Sequence, residues 1–141
     1  MSRRLDHIAI AVADLDAAIR RFADDLGVPL AGTEDVPAAR TRTAFLPVGD
    51  TRIELVAPLD GQGPIQRFLD KRGGGLHHIC FSTDDLDADM KRLRGLGYRF
   101  TTDEPSPGAH GTRVAFLHPA TTGGVLIELA EHPGEHPAEG G

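Results

Sequence analysis

Four residues in this chain combine metal-binding chemistry with positions where a polar side chain is expensive. His7 lies in LDHIAIAV, Glu54 in RIELV, His78 in LHHICF and Glu128 in VLIEL. Each interrupts an apolar run that reads as a β-strand. A carboxylate buried alone in such a strand costs on the order of several kcal/mol even after relaxation. A divalent cation removes that cost, and two imidazoles with two carboxylates suit one well. Mixed N/O ligation admits Co, Ni, Mn, Fe or Zn and leaves positions open for a bidentate substrate; the sequence does not choose among these ions. Taken singly, a strand histidine is ordinarily a satisfied core or surface residue, and IEL is common in edge strands with Glu in water. What singles these four out is their relation to one another.

The chain repeats itself. LDHIAIAVADLDAAIRRFADDLGV is answered by LHHICFSTDDLDADMKRLRGLGY, with His7 matching His78 and Leu15 matching Leu86 at an offset of 71. One residue is lost before the Leu-Gly pair that ends each helix, since Leu26-Gly27 matches Leu96-Gly97 at 70. TAFLPVGDTRIELVAP is answered by VAFLHPATTGGVLIELAEH. Phe45 matches Phe116 at 71, and Glu54 matches Glu128 at 74 because the second turn is three residues longer. This is internal duplication, with about half the chain in each copy.

Each copy reads as a strand, a helix and then further strands. In the first strand Leu5, His7, Ala9 and Ala11 share one face, and Ile8, Ile10 and Val12 the other. Asp14 is placed to cap a helix with the apolar stripe Leu15, Ala18, Ile19, Phe22 and Leu26, ended by Gly27. Asp85 does the same before Leu86, Met90, Leu93 and Leu96. Gly49-Asp50 marks a hairpin turn. Parity puts Glu54 opposite Ile53 and Leu55, and Glu128 opposite Ile127 and Leu129. With the aliphatics packed under the helices, His7, Glu54, His78 and Glu128 line the other, concave face, two from each copy. His77 has the opposite parity to His78 and reads as packing or as a supporting hydrogen bond. Cys80 shares the inner face but has no base partner in sequence, and reads as a small filler.

The expected architecture is α+β: two tandem βαβββ modules forming one curved, partly closed mixed β-sheet around a metal site, with helices on the outer face. Module one spans about 5–59, a linker helix falls within 60–75, and module two spans about 76–131, all in a single domain 1–131. The segment 132–141, with His132 and His136, reads as a mobile, solvent-exposed tail.

Composition narrows the function. The 141 residues carry 15 Lys+Arg against 21 Asp+Glu, a formal charge of −6, with one Tyr and no Trp. An acidic chain poor in aromatics is unsuited to duplex or single-stranded nucleic acid. No apolar run is long enough to span a membrane, and no basic-then-apolar leader opens the chain. One cysteine allows no internal disulfide, and a reducing cytoplasm is the expected home.

The motifs LDHIAIAV-x-DL, FLPVGDTRIEL-x-x-PL, PI-x-x-FL-x-KRG-x-GLHHICF, GAHGTRVAFLHP and GGVLIEL resemble segments of the vicinal oxygen chelate (glyoxalase/bleomycin resistance/dioxygenase) superfamily. More narrowly, they resemble the methylmalonyl-CoA epimerases within it. They cover about Leu5 to Ala130, and GLHHICF, GAHG and HP-x-x-x-GGVLIEL are the most selective. The resemblance implies a metal on His7, Glu54, His78 and Glu128, with Co2+ expected and Mn2+, Ni2+, Zn2+ or Fe2+ as alternatives. Some family members carry Gln where this chain has Glu54.

The implied activity interconverts the (2R) and (2S) forms of methylmalonyl-CoA by metal-assisted removal and return of the C2 proton through an enolate. Glu128 is then the candidate for one base. The second is uncertain: the third-strand position where some members carry a glutamate, counted back from Pro47, is Arg42, which cannot act as a base at neutral pH. Glu34, Asp35, His110 or a held water remain. Arg42, Gly108, His110 and Gly111 are candidate substrate contacts, and Arg40, Arg42, Lys71, Arg72 and Arg113 are candidates for the CoA phosphates. A homodimer is expected. The sequence does not separate a methyl from an ethyl branch, which differ by one methylene. Rival readings are a glyoxalase I-like metal-dependent lyase and a non-enzymatic drug-binding module.

Overall fold

Strict alternation makes β1 (Leu5–Ala11) two-faced: His7, Ala9 and Ala11 are buried on one side, and Ile10 packs beneath a helix on the other. The computed structural model describes residues 3–134. These divide into two compact units, residues 7–77 and residues 3–6 with 78–134.

In the first unit, β1 is followed by α1 (Leu15–Ile19), β2 (Gly32–Val36), β3 (Thr41–Val48), β4 (Thr51–Pro58) and α2 (Pro64–Arg72). The strand order is β2-β3-β4-β1, with β2, β3 and β4 antiparallel and β1 parallel to β4. Gly49-Asp50 forms the two-residue turn, and Gly49 has the positive φ (58°) such a turn requires. The Asp14 side chain accepts from Ala17 N–H at 3.0 Å, so α1 begins where the cap predicts. Its apolar stripe rests on Ala44, Leu46 and Leu55, leaving the other sheet face to His7 and Glu54.

In the second unit, β5 (Gly75–Ser82) is followed by α3 (Leu86–Gly95), β6 (Ser106–Pro107), β7 (Arg113–Leu117) and β8 (Ile127–Glu131). The order β6-β7-β8-β5 repeats that of the first unit. Asp85 caps α3 through Ala88 N–H, and Leu86 and Met90 pack on Ala115 and Leu129. Leu46 pairs Ile53 in one copy and Leu117 pairs Ile127 in the other, which places the three extra residues between β7 and β8.

The extra residue of the first helix also has a visible home. After Ile19 the helix widens into a π turn, Arg20–Asp25, closed by Leu26 N–H on the Arg21 carbonyl at 3.0 Å. An inserted residue would turn everything after it by roughly 100° in an α-helix; a π turn absorbs it and keeps the apolar stripe on the sheet.

Two expectations are corrected. Leu26 and Leu96 are not part of the buried stripes: they are 62% and 66% exposed, each being the residue at which its helix has already ended. The expected linker helix is α2, which sets Ile65, Phe68 and Leu69 on Ala11 and Val56, at one end of the face that carries Glu54. His132 is not an exposed tail residue; its Nε2 lies 2.5 Å from Oδ1 of Asp6, a carboxylate with 2% exposure that needs a partner. His136 lies outside the described residues.

Candidate metal centre and catalytic face

Each unit builds one histidine–carboxylate pair from its first and last strands. In the first, β1 runs parallel to β4 with Ala9 beside Glu54, and His7 Nδ1 lies 3.1 Å from Glu54 Oε2. In the second, β5 runs parallel to β8 with Cys80 beside Glu128, and His78 Nε2 lies 3.0 Å from Glu128 Oε1. All four side chains are buried, with exposures of 6–9%. Two donors bound side by side on one first-row ion at about 2.1 Å lie about 3 Å apart. Each pair therefore has the spacing of one edge of a coordination shell, and imidazole with carboxylate is a donor set that fits a divalent ion.

The pairs differ in what surrounds them. Arg52, two residues before Glu54 and on the same face, donates to Glu54 Oε2 at 2.8 Å and stacks 5.7 Å from the centre of the Phe45 ring. In the second unit the place of Arg52 is taken by Leu126, and the Phe116 ring meets His78 edge-on at 5.0 Å. Arg52 escaped the sequence reading, although strand parity alone puts it beside Glu54.

The remaining expected site residues separate clearly. Arg42 does not join Glu54: it projects from the helix side of β3 and grips Asp35 on β2 with two hydrogen bonds, at 2.7 and 3.1 Å. That guanidinium holds the Asp35 carboxyl below its ordinary value, so Asp35 stays ionised and engaged. Glu34 has the opposite parity, is half-buried, and lies beside Thr43 on the face of Phe45 and Glu54.

Gly108, His110 and Gly111 form a loop folded on itself. Gly108 N–H donates to the Thr112 carbonyl at 2.9 Å, and Thr112 N–H and Oγ1 donate to Ala109 O. A Cβ on Gly108 would fall 2.5 Å from Thr112 Oγ1 and 2.8 Å from Val114 Cγ1, so this glycine is required by the strand beneath it. His110 is exposed and left-handed (φ 57°).

Cys80 is buried against Val114 and Ala130, and His77 packs edge-on to Phe68 at 4.9 Å. Of the basic residues, Arg113 is committed to Asp87 and Glu131, which raise its pKa further. Arg72 lies over Phe68. Arg40 borders a cleft of about 560 Å³ beside the start of α2, together with Arg67. No described helix is long and apolar enough to cross a membrane.

Comparison with known proteins agrees with this geometry. The chain is 41% identical over 133 residues to the ethylmalonyl-CoA/methylmalonyl-CoA epimerase of Cereibacter sphaeroides, covering 93% of this chain and 99% of that protein. Among solved structures it is similar to the methylmalonyl-CoA epimerase of Mycobacterium tuberculosis, with 41% identity and a TM-score of 0.87 over 97% of this chain and 91% of that one. It is also similar to a variant of the Streptomyces coelicolor enzyme in complex with 2-nitronate-propionyl-CoA, with 36% identity and a TM-score of 0.88 over 94% and 96%. The expected α+β class with a duplicated βαβββ module is thus shared with solved epimerases. Residues 6–116 match the model of the Glyoxalase/Bleomycin resistance protein/Dioxygenase superfamily, and the chain belongs to that superfamily.

Proposed function

We propose that this chain is an epimerase that interconverts the (2R) and (2S) forms of methylmalonyl-CoA. The observation that carries the reading is the buried histidine–carboxylate edge, repeated at corresponding positions of both copies. Relatives of nearly the same length narrow the substrate to a 2-alkylmalonyl-CoA thioester. We assign His7, Glu54, His78 and Glu128 to one divalent ion, Co2+ by preference, so that the two copies act as one domain over residues 1–131.

Bound there, the ion supplies Lewis-acid withdrawal of charge from the substrate oxygens, which makes the C2 proton easier to remove. The chain's own residues do the rest. His7 and His78 hold ring nitrogens beside their carboxylates, and burial in apolar strands excludes bulk water from the exchanged proton. Glu54 is charge-balanced by Arg52 and serves as an anchor. Glu128 has no guanidinium at the corresponding position, and we assign it one of the two proton exchanges at C2. The enzyme acts in the cytoplasm as a homodimer, which light scattering would report as twice the chain mass of 15.1 kDa.

The decisive experiment presents a single methylmalonyl-CoA epimer in D2O to cobalt-loaded and to chelator-stripped protein. Metal-dependent inversion with deuterium entering C2 is expected. Exchange no faster than in the stripped control would overturn the function, and hemithioacetal lyase and drug-binding assays would then discriminate the alternatives.

A further inference from the structure

Glu54 is held from two sides within the unit 7–77. Arg52 precedes it by two residues on β4, on the same face and roughly 7 Å away along the strand. Nε and Nη2 of Arg52 both reach Glu54 Oε2 at 2.8 Å, and His7 Nδ1 lies 3.1 Å from the same oxygen. The guanidinium is fixed in turn. β3 pairs Phe45 with Glu54, and Arg52 Cζ lies 5.7 Å from the centre of the buried Phe45 ring. A forked arginine stacked on a ring is a permanent cation in a set place.

The fold does not require that cation. The second copy has its carboxylate, Glu128, at the corresponding place in β8, with Leu126 two residues before it. A buried ion pair often does no better than apolar side chains of similar size, so stability alone gives no reason for Arg52. Resting on the assignment of Glu54 to the ion, we infer that Arg52 is a positioning residue for the metal centre. It acts through Glu54, setting how much of that carboxylate's charge is left to a cation.

Carboxylate and guanidinium together present a neutral pair beside His7, so a cation meets less attraction there than from a carboxylate alone. Groups hydrogen-bonded behind a metal-binding carboxylate change metal affinity by about 10–100-fold. A ligand that gives up less charge leaves a bound divalent ion the stronger acceptor toward substrate oxygens. Arg52 and Glu54 therefore work as a unit. Arg52 without the carboxylate repels a cation, and loss of both returns a neutral edge.

The test is the affinity of the full chain for Co2+, measured by calorimetric titration without substrate. Glu54→Gln is expected to bind Co2+ about 10–100-fold more weakly than wild type, because the Arg52 charge then faces the cation uncompensated. Adding Arg52→Met, which keeps an unbranched stem over Phe45, is expected to regain at least threefold of that loss. Adding Arg52→Lys instead keeps the charge and is expected to leave Co2+ binding as weak as in Glu54→Gln alone. A regain below threefold with Arg52→Met, or an equal regain with Arg52→Lys, would show that Arg52 is only packed there. Arg52→Met with Glu54 retained gives a second arm that does not depend on folding of the glutamine variant. It is expected to bind Co2+ at least as tightly as wild type and to invert methylmalonyl-CoA more slowly, and binding weakened threefold or more would sink the inference. Wild type with no affinity for Co2+ would instead remove the metal assignment and this inference with it, whatever the inversion assay in D2O gives.

Discussion

The two copies of the module build the same histidine–carboxylate edge and surround it differently. In the first, Glu54 is tied to Arg52 as well as His7; in the second, Leu126 stands where Arg52 would be, Cys80 sits beside Glu128, and Phe116 meets His78. A guanidinium at hydrogen-bond distance offsets a buried carboxylate's charge whether or not an ion is bound. The difference teaches that duplicated carboxylates need not share surroundings: one is tied to a guanidinium, and on the proposed function its counterpart is the one that moves a proton.

The strongest way to break this comparison is to neutralise each carboxylate in turn. Glu128→Gln is expected to lower inversion by about 10²–10⁴-fold or more, since on the proposed function it removes a ligand and a proton exchanger together. Glu54→Gln is expected to lower it by about tenfold or less at saturating metal, with weaker retention of the ion on dialysis. Equal losses in the two variants would erase the division of labour.

Metal binding offers the next largest effect. At a concentration 100-fold above its Kd, an ion that binds only the folded state stabilises it by about 2.7 kcal/mol, or about 8 °C in melting temperature for a chain of this size. A thermal-shift series with Co2+ should show this gain in wild type and lose it in both His7→Ala and His78→Ala. Loss in one variant alone would confine the ion to one copy.

Arg52→Leu is expected to destabilise the metal-free protein by about 1–2 kcal/mol, discounted for the 20% exposure of the side chain. The same change should cost less in the loaded protein, where the cation takes over the charge balance. Denaturant melts with and without metal would measure the gap, and the absence of any gap would argue that Arg52 is merely packed there.

The smallest effect is acid sensitivity. Asp89 of the second unit occupies the place of Ala18 in the first. Burial pushes its carboxyl up, but hydrogen bonds from Arg3 and Thr83 and the nearby Arg3 and Arg92 charges prevail and hold it below the ordinary value. The folded state therefore binds this proton less readily than the unfolded chain. The resulting stability is present above about pH 4 and is lost as pH falls through the lowered value. Hydrogen exchange on acidification should open residues 78–134 before 7–77, and Asp89→Asn should remove that order.

Much of this was legible in the residues themselves. The duplication, the strand parity of His7, Glu54, His78 and Glu128, the caps at Asp14 and Asp85, and the Gly49-Asp50 turn follow from short-range periodicity and local chemistry. These act over a few residues and leave their mark directly in the order of residue types. Tertiary structure decided what depends on which strand lies beside which. Arg42 looked like a ligand contact until β2 brought Asp35 to it; His132 looked like tail until the buried Asp6 required a partner; Glu34 and Asp35, adjacent in sequence, became different groups because pairing with β3 turned one toward Glu54 and the other away. Register is a property of two chain segments at once. It is selected by the summed burial of both faces, and no single stretch of sequence carries that sum.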